Sequence, residues 1–196
     1  NTEITSFDEF RYFTGVKAMV ESAFQGASSL RSISFSDSLE SLGNSTFRGC
    51  SALDIDVVLT NVTQVGYGTF AKTKIRSVYA PLLTKTKGTA EYDSTFIECS
   101  SLVSADLPSA VELQNHTFYA CTSLTEVNIP KVQILGKGVF FGCTSLKRLD
   151  LPSTIMSIDE NCWNTSRNIE KIIIRATTPP SLANTNAFSN TNSTFL

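Results

Sequence analysis

Large aromatic residues recur along this chain at an almost constant interval. Phe24, Phe47, Phe70, Phe96, Phe118, Phe140, Trp163 and Phe188 stand 23, 23, 26, 22, 22, 23 and 25 residues apart. Apolar and polar positions between them repeat in one order. The segments Phe96–Pro108, Phe118–Pro130 and Phe140–Pro152 share the pattern F-x-x-C-x-S-L-x-x-φ-x-φ-P, where φ is apolar. The unit from Phe24 keeps it without the Cys and the Pro. The unit from Phe47 is looser, with Asp56 where an apolar residue is expected. The unit from Phe70 loses one residue before Ile75 and gains several around Lys85–Glu91. A seventh unit starts at Trp163.

A unit this short cannot bury its own apolar side, whereas stacked copies share one continuous core. Within each unit, L-x-x-φ-x-φ predicts one short strand with alternate residues facing in. The inward set is then Leu30, Ile33, Phe35; Leu102, Ala105, Leu107; Leu124, Val127, Ile129; Leu146, Leu149, Leu151; and Ile169, Ile172, Ile174. Pro108, Pro130 and Pro152 end their strands where the chain must turn. A second inward pair recurs as Leu39 and Leu42, Val62 and Val65, and Ile155 and Ile158, and lines an opposite wall. The aromatics are expected to stack into an internal spine.

The three near-identical segments resemble the BspA-type leucine-rich repeats of bacterial and protist surface proteins, over about residues 20–175. The opening EITSFDEFRYFTGV resembles the segment that precedes such arrays in Bacteroides-like proteins, and the close RATTPPSLANTNAF resembles the segment that follows them. The resemblance implies an α/β-type repeat solenoid, a right-handed coil with a parallel sheet on one face and a short N-terminal capping helix. It divides the chain into a cap (1–22), an array of about seven repeats (23–175), and a second cap or incomplete repeat (176–196). It also implies surface-exposed or secreted proteins, some of them proposed to adhere to host matrix proteins or other cells.

An open solenoid needs its ends covered. Ser6-Phe-Asp-Glu9 has the form of a helix capping box. Phe7, Phe10 and Phe13 fall on one side of a helix that Gly15 would stop, so a helix is expected over residues 5–14. Pro179-Pro180 breaks the strand rhythm, and Phe188 is placed to begin an incomplete eighth unit.

Composition narrows the function. Charged residues are 17% of the chain and the net charge is −2, so the whole molecule carries no basic excess to draw nucleic acid or anionic lipid. No apolar run is long enough to span a membrane. The polar start lacks the character of a leader, so a secreted protein would have lost its leader from this chain.

The residues that could carry chemistry read better as structure. Cys50, Cys99, Cys121 and Cys143 all stand three residues after a repeat aromatic and stack along one edge of the core, where free Cys packs as a small apolar residue. Parallel side-chain directions disfavour disulfides, and a linear ladder does not converge on zinc. Cys162, one residue before Trp163, falls outside this ladder with no evident partner. His116 is the single histidine, in a turn before Phe118, and no nucleophile elbow accompanies it. Asp54 with Asp56, and Asp159 with Glu160, read as solvated neighbours. The glycines Gly49, Gly136 and Gly142 recur at turns. The sequons at Asn44, Asn61, Asn115, Asn164 and Asn192 read first as turn asparagines. No catalysis, metal or cofactor is expected.

Function is therefore expected on the outward strand residues. By alternation these are Ser32 and Ser34, Ile55 and Val57, Ser77 and Tyr79, Ser104 and Asp106, Glu126 and Asn128, Arg148 and Asp150, and Lys171 and Ile173. A carbohydrate groove would show several aromatics, and Tyr79 stands alone among them. A mixed polar stripe suits a protein ligand, such as a host matrix or cell-surface protein, held by Tyr79, Asp106, Glu126, Asn128, Arg148, Asp150 and Lys171. The other reading of the same stripe is a solvated face on a spacer within a longer surface protein.

Overall fold

Strands of two to four residues alternate along the chain between two walls, and every pairing between them is parallel. A computed structural model describes residues 3–88 and 94–188. The expansion expected at Lys85–Glu91 runs into residues 89–93, and the polar tail from 189, with Asn192, also lies outside the described residues.

The first wall is built from the L-x-x-φ-x-φ strands. Ser6–Phe7 pairs with Ser32–Ile33. Asp56–Val58, Ser77–Tyr79, Ser104–Asp106 and Glu126–Asn128 form one sheet, and Arg148–Leu151 pairs with Lys171–Ile174. The second wall follows the recurring apolar pairs, through Ala18–Met19, Ser41–Leu42 and Gln64–Val65, then Glu112–Leu113, Ile134–Leu135, Ser157–Ile158 and Ser181–Leu182. The result is a parallel β-solenoid of about seven coils.

The third side is the turn that carries the aromatic. Its N–H groups also reach to the next coil: Phe24 donates to the Thr46 carbonyl at 2.8 Å, Phe47 to Thr69 at 2.8 Å, Phe118 to Val139 at 2.9 Å and Phe140 to Cys162 at 2.8 Å. Backbone groups buried in a turn without partners would each cost a lost hydrogen bond, and coil stacking supplies the partner. Coils with no helix can thus close on all three sides.

Between the walls the aromatics form the expected spine. Phe47, Phe70, Phe96, Phe118, Phe140 and Trp163 are fully buried. Adjacent rings from Phe24 to Phe140 lie 5.4–5.8 Å apart and within 12° of parallel, and Trp163 stacks on Phe188 at 5.1 Å. The inward strand residues pack into the same core, with Phe35, Val127 and Ile174 only partly covered.

Two expectations are corrected. Among the described residues there is no α-helix, so neither the α/β class nor a capping helix over residues 5–14 is supported. Ser6 and Phe7 instead extend the first wall by one strand, and Asp8–Tyr12 is a 3-10 turn in which no side chain caps the start. The reason is the open edge of the first coil: its backbone groups gain a parallel partner when Ser6 and Phe7 lie extended. Asp8, freed from any capping role, accepts hydrogen bonds from Ser32 (2.8 Å) and Ser34 (3.3 Å). Phe7, Phe10 and Phe13 still cluster, with ring centroids 5.6–6.0 Å apart, as the end cover.

The second correction is in the coil after Phe47. Val57 is fully buried, whereas Asp56 and Val58 face out. Asp56 pairs in register with Ser77, and Val57 with Val78. The coil holds one residue more between Leu53 and its strand than the pattern allows. A one-residue slip inverts every side chain, and placing Asp56 inside would bury a charge.

The glycines do two different jobs. Gly49 and Gly142 adopt positive φ in the aromatic turns. Gly136 does not; it lies where a Cβ would meet the Asn115 backbone nitrogen at 2.7 Å, and Gly66 likewise would meet that of Asn44 at 2.4 Å. These positions let one coil lie close against the last.

Candidate functional site: the outward rows of the first wall

Register across the strands aligns the outward residues in two rows. In the first, Asp56, Ser77, Ser104 and Glu126 are mutual neighbours, and Arg148 lies beside Lys171. In the second, Val58, Tyr79, Asp106 and Asn128 follow one another, and Asp150 lies beside Ile173. The structure thus sets Tyr79, Asp106, Glu126, Asn128, Arg148, Asp150 and Lys171 on one face. Ile55 and Val57, expected in the rows, are replaced there by Asp56 and Val58 for the reason given above.

Several of these side chains are tied to the next coil. Asn128 donates to the Asp106 carboxylate at 2.7 Å. Ser77 donates to Asp56 at 2.7 Å, and Arg76 reaches both Asp56 (3.3 Å) and Asp54 (3.4 Å). Arg175 grips Asp150 with two bonds, at 2.6 and 2.5 Å. That fork holds the Asp150 carboxyl below its ordinary range, chiefly through the Arg175 hydrogen bonds. Arg148 sits farther off, at 3.8 Å from the same carboxylate. Arg175 belongs to this face although the sequence reading left it in the closing segment. The signal was present, because alternation from Lys171 and Ile173 reaches position 175.

A depression of about 330 Å³ opens beside the second row, lined by Asn128, Asp150 and Arg175 with Pro130 and Pro152. Sequence reasoning did not anticipate a second one, of about 280 Å³, on the outer face of the opposite wall, among Gln114, Ile134, Gly136, Asp159 and Leu182. It follows from the small residues Gly136, Ser157 and Ser181, which leave that face low.

The chemistry-bearing side chains of the interior have structural partners. All five cysteines are free and buried. The thiols of Cys50, Cys99, Cys121 and Cys143 donate to the carbonyl of the preceding coil's aromatic at 3.1, 2.9, 3.2 and 3.1 Å. Ser166, on the same rung of its own coil, does so at 2.6 Å. Thr73 occupies this position in the third coil, which lacks a Cys, and donates instead to the carbonyl of its own coil's Phe70 at 2.8 Å. The rung takes a small residue, Ala27 in the first coil and a donor-bearing Cys, Thr or Ser in the later ones. Cys162 does have a place, contrary to expectation. It lies in a second column, after Thr46, Thr69, Thr95 and Thr117, and donates to the Gly136 carbonyl at 3.2 Å. Burial pushes the thiols up, to about 11 for Cys50 and Cys99 and about 12 for Cys162, and raises Cys121 and Cys143 well above the ordinary thiol range.

His116 is buried in the aromatic turn at φ 57°, its N–H donating to the Lys137 carbonyl at 2.7 Å and its ring edge-on to Tyr119. Asn44 and Asn115 accept from the backbone of Tyr67 and Lys137, each at 2.9 Å, and so bridge coils. Asn61 is exposed and donates to the Asp37 carbonyl at 2.8 Å. No group of three or more His, Cys, Asp or Glu that could hold a metal occurs among the described residues. No helix there is long and apolar enough to cross a membrane.

Comparison with known proteins gives a consistent family signal. A model described as the BspA type leucine rich repeat region matches in six copies, over residues 2–90 and 89–196. No curated protein matches significantly. Among solved structures, the chain is similar to a leucine-rich repeat protein from Eubacterium ventriosum, at 18% identity over 91% of this chain and 41% of that one, with a TM-score of 0.60. A leucine rich cell surface protein from Faecalibacterium prausnitzii matches at 21% identity over 96% of this chain and 62% of that one, with a TM-score of 0.50. The pneumococcal vaccine antigen PcpA matches at 18% identity over 80% and 42%, with a TM-score of 0.52. The chain spans less than two thirds of each of these proteins.

Proposed function

The chain belongs to the BspA-type leucine-rich repeat family, and on that premise we propose that it is a non-enzymatic module of a cell-surface or secreted protein, holding a protein ligand along the outward rows of its first wall. The observation that carries this reading is the alignment of the rows. Six successive strands, four registered in one sheet and two in the next, present two lines of polar and aromatic side chains anchored by a buried core. A rigid backbone under adaptable polar groups is what recognition of an extended surface requires. Surface location is supported by the family and by the Faecalibacterium protein, which is described as a cell surface protein.

The triple variant Glu126→Lys, Arg148→Glu, Asp150→Lys tests it against a panel of immobilised extracellular matrix and host cell-surface proteins. Wild type is expected to bind at least one, and the variant to lose tenfold or more, since charged pairs across an interface govern both encounter and escape. Equal binding by the two chains, or none by wild type, would favour a spacer role.

A further inference from the structure

The two rows change character from one end of the wall to the other. At the early end, Val58 and Tyr79 lie side by side in register and are 50% and 40% exposed. Their polar neighbours are already engaged, Asp56 by Arg76 and Ser77, and Asp106 by Asn128. At the late end the charges are less satisfied. Arg148 and Lys171 stand next to each other in the first row. Arg148 has only the 3.8 Å approach to Asp150, whose oxygens are taken by Arg175. Neither Lys171 nor Glu126 has an ion pair among the described residues, and both are exposed.

Along the wall, then, an apolar pair is followed by one open carboxylate and then by two open cations. We propose that the ligand engages this face through an extended polypeptide segment with the complementary order: an aromatic or aliphatic residue, then a basic residue, then acidic residues. The inference rests on the protein-binding reading of the same wall and names the chemistry of its partner. Coils repeat at about 4.8 Å, so Tyr79 is about 14 Å from Arg148 and about 19 Å from Lys171. An extended chain at about 3.3 Å per residue covers that in about four to six residues. The depression lined in part by Pro130 and Pro152 lies beside the late half and offers apolar contact next to the charges. A uniformly anionic polymer would match Arg148 and Lys171 but would meet the Glu126 carboxylate, unpaired among the described residues, as a like charge. That repulsion selects a polypeptide over a sulfated glycan.

The test is selection of a phage-displayed library of random linear 12-residue peptides on the intact chain, followed by affinity measurements on synthetic copies of the winners. Enriched peptides are expected to carry the apolar–basic–acidic order within about six residues. Their affinity should fall tenfold or more in Arg148→Glu/Lys171→Glu and in Val58→Ser/Tyr79→Ala, each with an unfolding midpoint like that of wild type. Peptides with the acidic residues changed to lysine should regain affinity for the Arg148→Glu/Lys171→Glu chain, a rescue that misfolding could not give. Winners that lose binding in the triple variant but lack the order would overturn this inference and leave the protein-binding reading standing. Winners indifferent to every substitution on the wall would overturn both. Absence of enrichment, or displacement of the winners by heparin, would overturn the polypeptide assignment alone.

Discussion

Between pH 8 and pH 10 the folded chain is expected to lose about 5–7 kcal/mol of stability, enough to unfold a domain of ordinary stability. The cause is the five buried thiols. In the unfolded chain a thiol gives up its proton near pH 9, whereas in the folded chain burial holds Cys50 and Cys99 protonated to about 11 and Cys162 to about 12, and raises Cys121 and Cys143 well above the ordinary thiol range. Above pH 9 the unfolded state therefore binds fewer protons than the folded one. Stability from these groups is complete below pH 9 and falls as pH rises towards the folded values, by about 1.4 kcal/mol per unit and per thiol. Urea unfolding followed by circular dichroism at pH 8, 9 and 10 measures it. The control is a chain with all five cysteines changed to serine, the residue that already occupies the rung at Ser166. The wild-type midpoint should fall steeply and the control's much less. Parallel curves for the two chains would show that the thiols are not buried as described.

Phe118→Ala is expected to cost about 3–5 kcal/mol. Its ring is fully buried, 5.6 Å from Phe96 and 5.7 Å from Phe140, so truncation leaves a cavity that no neighbour can fill without breaking the stack. Because each coil rests only on its neighbours, the damage should be local before it is global. Hydrogen exchange should quicken first at the turn N–H groups of Phe96, Phe118 and Phe140, which bridge adjacent coils. Phe24→Ala, half-buried at the start of the spine, should cost less. A loss below about 1 kcal/mol at Phe118 would mean that the ring is not part of a close-packed column.

Most of the fold was legible because interior positions of a solenoid are constrained twice, by the coil below and the coil above. Residue type therefore repeats strictly at Phe96, Phe118 and Phe140, and at Cys99, Cys121 and Cys143. The start of the chain lacks one of those neighbours, and there local pattern misled. The spacing of Phe7, Phe10 and Phe13 fits one face of a helix, but an interval of three matches the 3-10 turn better than the α-helix. The capping box lost to strand pairing, which satisfies more backbone groups. In the second coil, counting forward from Leu53 put Asp56 inside. Counting back from buried Leu59 would have put Val57 inside and Asp56 out.

The candidate site was legible to the extent that alternation decides which side chains leave the core. Tyr79, Asp106, Glu126 and Arg148 emerged that way. What alternation cannot give is which charges are consumed within the wall. The Arg175–Asp150 fork depends on side-chain reach between coils, and it leaves Arg148 and Lys171 as the open cations. Likewise, Cys162 could be assigned only once the threonines preceding the aromatics were seen as a column.

The central claim is that every coil is held by its immediate neighbours through one stacked interior. Double-mutant cycles on that interior test it most directly, with Phe96→Leu and Phe118→Leu as the adjacent pair and Phe47→Leu and Phe140→Leu as the distant one. Adjacent substitutions are expected to couple by about 0.5–3 kcal/mol and distant ones to add within about 0.5 kcal/mol. Coupling of equal size in both pairs, or none in the adjacent pair, would contradict the stacked-coil account.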